Sequence, residues 1–174
     1  VGSSPRFAWW RLGGFAVLAV FVAIGLVRPE TTMNRANPLS AIDLVIHEAG
    51  HVLFGSFGNE LIMFLGGSAL QVLVPVGFAA SFALRRDSFA AAVMGLWAAY
   101  NLADVAVYVA DAPLRALPLL TDDPDTHDWY NIFSSVGHLE FAAPTARALF
   151  ALAWVTLAIA TFAVLWSHLP RDEG

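Results

Sequence analysis

The chain has no cysteine and no lysine. The first absence removes disulfides, thiolate metal sites and cysteine nucleophiles, so any metal must be held by nitrogen and oxygen. The second leaves nine arginines as the only fixed cations, against fourteen acidic residues and a formal net charge of -5. No basic patch of the kind that nucleic acid requires can be built from them, and no nucleic-acid partner is expected. Charge of either sign is scarce. Of 174 residues, 13% are charged and 58% are hydrophobic, where soluble domains have about 25% and about 45–50%. That balance predicts an integral membrane protein, with the lipid bilayer as its main partner and one domain over residues 1–174. The first residue is Val1 rather than methionine, which fits a processed or trimmed N-terminus.

Five apolar runs are long enough for helices, at about 9–27, 40–55, 69–84, 88–110 and 143–166. A helix rising about 1.5 Å per residue needs roughly twenty residues to cross a hydrocarbon core of about 30 Å. The expected fold is therefore all-α, with about five transmembrane helices. Residues 58–68 ("GNELIMFLGGS") are too short to span and carry Gly66-Gly67, so a re-entrant or extended segment is expected there. Ser40, with Asp43 three residues on, reads as the cap of the second helix, and Pro75 as a kink in the third. Residues 111–142 read as an acidic interfacial loop. In it "DWYNIFSSVG" (128–137) is a short amphipathic piece, with Trp129 and Tyr130 as aromatic-belt residues. If all five runs cross, the arginines divide four (Arg6, Arg11, Arg115, Arg147) against five, which leaves the orientation open.

The second run holds the chemistry. It reads "DLVIHEAGHVLF" from Asp43 to Phe54. Residues four apart share a helix face, so His47 and His51 present two imidazoles to one point, the spacing with which a helix chelates zinc. Glu48, one position on, flanks such an ion and can deprotonate its water and pass the proton to a leaving amine. Ionisable side chains in lipid are costly and mark function, which favours a metal site over a structural polar cluster. A di-iron reading needs a second Glu-x-x-His, and neither Glu30, Glu60, Glu140 nor Glu173 has one.

Catalytic zinc takes three protein ligands and keeps one position for water. Asn101, Asp104, Tyr108 and Asp111 form a polar stripe on the fourth helix, spaced +3, +4 and +3. Asp104, deep within it, is the expected third ligand; Asn101 can hold a substrate carbonyl or orient the water. Rivals stay open. Asp43 lies on the face of His47 and can hold an imidazole N–H. His127 and Asp128 ("THDWYN") can fold over the site as ligand, lid or substrate contact, or belong to a solvated loop. His138 and His168 read as interface residues.

HEAGH in one membrane helix, with Asn-x-x-Asp in a later one, resembles the site-2 protease family of intramembrane zinc metalloproteases. The resemblance spans about residues 40–111. It implies His47, His51 and Asp104 as zinc ligands and Glu48 as general base. It also implies an extended segment after the motif helix ("FLGGSALQ", Phe64 to Gln71) that pairs with a membrane-protein or peptide substrate. The expected function is zinc-dependent hydrolysis of membrane-protein substrates within a cell (inner) membrane. The second motif reads "NLADVAV", with neither proline nor a final glycine, and the chain is small. Those features fit an alternative, a catalytically silent subunit that binds a partner in a larger membrane complex. A metal carrier or sensor is a third reading.

Overall fold

The computed structural model describes residues 9–33 and 37–167. Six α-helices follow one another: α1 (Trp9–Val27), α2 (Pro38–Gly55), α3 (Glu60–Leu84), α4 (Ser88–Asp111), α5 (Asp128–Ser135) and α6 (Ala142–Ser167). Single 3-10 turns at Pro29–Thr31, Pro124–Thr126 and Leu139–Phe141 join them. No strand occurs among the described residues, which are all-α, as the apolar runs predict. Four segments are long and apolar enough to cross a membrane: α1, α3, α4 and Leu139–Ser167. The fifth expected span, α2, is not among them. Its 18 residues carry Asp43, His47, Glu48 and His51, which lower its hydropathy.

The re-entrant segment expected at 58–68 is not formed. Gly66-Gly67 lies inside the unbroken 25-residue helix α3, which continues through Pro75. The glycines serve approach, not breakage. A Cβ added at Gly50 would meet the carbonyl oxygen of Gly66 at 2.3 Å, and one at Gly66 would meet the Phe54 Cβ at 2.5 Å. The backbones of α2 and α3 therefore touch, as small residues allow in membrane helix pairs. Gly50→Ala is expected to destabilise the fold by about 1–3 kcal/mol, the cost of overpacking. Gly13→Ala, where nothing lies within 4 Å, is the neutral comparison; chemical unfolding in detergent reads both.

Helix α4 is the centre. Over half of its apolar window is buried, against about a quarter for the other three. It packs on α6 through small residues: Ala146, Ala153 and Ala160 of α6, seven apart, are all buried, and a Cβ on Gly95 would stand 3.2 Å from that of Ala160. Leu96, Tyr100 and Ala103 join Phe15, Leu157 and Val164 in one core. A second core forms from Val105, Tyr108, Trp129 and Phe133.

Helix α4 also clamps the start of α2. The Tyr100 hydroxyl donates to the Thr32 carbonyl at 2.8 Å, and Ser40 lies 2.9 Å from the same hydroxyl. Trp97 Nε1 donates to Asp43 Oδ1 at 2.7 Å. The expected cap is thus corrected: Asn37, not Ser40, caps α2, its side chain accepting from Leu39 N–H at 3.0 Å. Ser40 and Asp43 instead bind α2 to its neighbours.

Candidate metal centre

One turn of helix brings His47 and His51 side by side, with ring centroids 4.8 Å apart. Helix α3 sets their faces. His47 Nδ1 lies 3.1 Å from Gln71 Oε1, and His51 Nδ1 lies 2.8 Å from the Met63 carbonyl oxygen. Both partners accept only, so each Nδ1 carries the hydrogen and each Nε2 is left as a lone pair. Gly67 makes this possible. A Cβ there would sit 2.6 Å from both Nε2 atoms, so only a glycine leaves the imidazoles their place.

The third group comes from the far side of the chain. Asp128, the first residue of α5, places Oδ2 3.0 Å from His47 Nε2 and 3.2 Å from His51 Nε2. The three donor atoms lie within 4.8 Å of one another. Two ligands on a tetrahedral zinc ion, each bonded at about 2.0–2.1 Å, stand about 3.3–3.4 Å apart. Two neutral nitrogens and a carboxylate oxygen turned toward one another repel unless a positive charge sits among them. The donor set and its spacing fit a divalent metal, and zinc accepts such a set.

Local chemistry holds Asp128 there. His127 caps α5, its Nδ1 accepting from Tyr130 N–H at 3.2 Å. Trp129 Nε1 donates to Ser68 Oγ of α3 at 3.0 Å. Tyr108 of α4 donates its hydroxyl to Asp128 Oδ2 at 3.2 Å and accepts from Asp128 N–H at 3.0 Å. The preceding loop is folded by its own contacts. Asp111 accepts from Ala116 and Leu117 N–H, and Arg115 pairs with Asp125 at 2.6 Å and covers the Tyr130 ring. Burial pushes the His127 imidazole down, toward the neutral form.

The centre lines a cavity of about 310 Å³, walled by α2, α3, α4 and the loop from Pro118 to Thr126. Glu48 lines the same cavity and is exposed. It stands beside the His–His–Asp group without belonging to it, as the sequence spacing predicts.

Several expected residues stand elsewhere. Asp104 lines the same cavity but is not one of the three grouped donors; its Oδ2 accepts from Gln71 Nε2 at 2.8 Å, one residue removed from the imidazoles. Asn101 is fully buried, gives its amide to the Trp97 carbonyl at 3.0 Å and does not line the cavity. Asp43 faces Trp97, not an imidazole. His127 and Asp128 are buried, not part of a solvated loop, and Trp129 is turned inward rather than into a belt. His138 is exposed and paired with Glu140 at 2.8 Å; His168 lies outside the described residues. Sequence reasoning missed Gln71 and Met63 as holders of the imidazoles. A glutamine within an otherwise apolar stretch was the available signal for the first; a backbone carbonyl gives none.

No protein-family model, no curated protein and no solved structure matches this chain.

Proposed function

We propose that the protein is an intramembrane zinc metalloprotease of a cell (inner) membrane, with His47, His51 and Asp128 as ligands and Glu48 as general base. The observation that carries this reading is the convergence of three buried or half-buried donor atoms, with both Nδ1 positions already occupied by acceptors, beside an exposed carboxylate in one cavity. Zinc in such a site supplies Lewis acidity, which polarises a peptide carbonyl and brings the pKa of water to about 7. The protein's residues do the rest. Glu48 takes a proton from the attacking water and returns it to the departing amide nitrogen, so hydroxyl adds to the acyl carbon as the C–N bond breaks. Tyr108 and the α5 cap hold Asp128 in place. The loop at 118–126 forms one wall of the cavity in which the substrate would lie.

The test uses the purified full chain in proteoliposomes with a single-span membrane substrate. About one zinc per chain by mass spectrometry is expected, with cleavage lost on 1,10-phenanthroline treatment and restored by added zinc. A folded chain that holds no zinc, cleaves nothing and co-purifies with a larger complex would overturn the proposal in favour of the silent-subunit reading.

A further inference from the structure

Asp104 is a buried-side carboxylate within α4 that the three-ligand site does not use. Its Oδ2 is bonded to Gln71, which is 3% exposed, and it also hydrogen-bonds the Thr32 side chain. Gln71 has a donor end and an acceptor end, and rotation of its amide by half a turn exchanges them. The two imidazoles differ in this respect. His51 is set by a backbone carbonyl, which cannot turn over. His47 is set by this side-chain amide, which can.

We infer that Asp104 positions the metal site through Gln71. This rests on the zinc reading above. The Asp104 carboxylate accepts the Gln71 Nε2–H at 2.8 Å. That contact turns Gln71 Oε1 toward His47 Nδ1, 3.1 Å away. An acceptor there keeps the hydrogen on Nδ1 and presents His47 Nε2 as a lone pair toward Asp128 and His51. With the amide reversed, the N–H end would face Nδ1. His47 would then accept there and carry its hydrogen on Nε2, where a metal must bind. Asp104 is therefore a positioning residue and not a ligand: it removes the wrong orientation of Gln71.

Zinc affinity of the full chain in detergent, measured by competition with a chromophoric chelator, tests this. Asp104→Ala and Gln71→Leu are each expected to weaken zinc binding by about 10–100-fold, the usual cost of losing a partner behind a ligand. The Asp104→Ala/Gln71→Leu double variant should be no weaker than Gln71→Leu alone, because Asp104 acts only through Gln71. The pair Asp104→Asn with Gln71→Glu reverses the polarity of the first contact and keeps an acceptor at Nδ1; it should bind within about threefold of wild type. Cobalt substitution should give the same d–d band positions in wild type and Gln71→Leu, since the ligand set is unchanged. Multiplicative losses in the double variant, or wild-type affinity in Asp104→Ala, would overturn the inference while leaving the zinc site standing. No zinc or cobalt binding by wild type would overturn both. The exchanged pair also separates positioning from folding, since a merely structural need for Asp104 would not be met by moving the charge to residue 71.

Discussion

Replacing Asp128 with alanine is expected to abolish stoichiometric zinc binding, as His47→Ala does, while Asp104→Ala still binds zinc with reduced affinity. The asymmetry follows from distance. Asp128 Oδ2 stands 3.0 and 3.2 Å from the two Nε2 atoms; Asp104 is hydrogen-bonded to Gln71, which stands between it and His47. Removing Asp128 takes away the sole anionic ligand and leaves two neutral nitrogens, so the loss should exceed the roughly 10–100-fold cost of an outer partner. Tyr108→Phe removes the hydroxyl bonded to Asp128 and should fall between the two. Metal content by mass spectrometry after gel filtration ranks all four variants. Zinc kept by Asp128→Ala and lost by Asp104→Ala would instead make Asp104 the third ligand.

The second large effect is on turnover. Glu48→Gln keeps the shape and polarity of the side chain but cannot take up a proton at neutral pH. Cleavage should fall by about 10²–10⁴-fold, the usual share of a positioned general base. Zinc content should stay near that of wild type, because Glu48 stands outside the His–His–Asp group. Single-turnover cleavage of a reconstituted membrane substrate, with metal content measured on the same sample, separates the two quantities. Unchanged cleavage would remove Glu48 from the chemistry. Lost zinc together with lost cleavage would make it a ligand.

The histidine pair was legible in the sequence because i, i+4 spacing on a helix is a local rule, and the helix formed. Asp128 was visible only as one of several rivals. Its place depends on how the 111–127 loop folds back, through the Asp111 turn, the His127 cap and the Trp129–Ser68 contact. None of those has a periodicity to read. Asp104 was rightly seen to need a partner in apolar surroundings, and a glutamine meets one of its oxygens. The same limit explains Gly66-Gly67. A glycine pair reads alike whether it breaks a helix or lets another backbone press against it, and the facing Gly50 decides which. The membrane class needed no such detail, since composition alone carries it.

The donors of the three-ligand centre are far apart in synthesis. His47 and His51 lie on α2, whereas Asp128 follows two complete membrane helices and a loop. While the chain is being made, the early segment offers the two imidazoles without the carboxylate that completes the group. The full site exists only once α3 and α4 are inserted and the loop has closed over the cavity. On the zinc reading, metal capture would be a late step of biogenesis, and a captured ion would tie the start of α5 to α2 and add its binding free energy to the stability of that closed form.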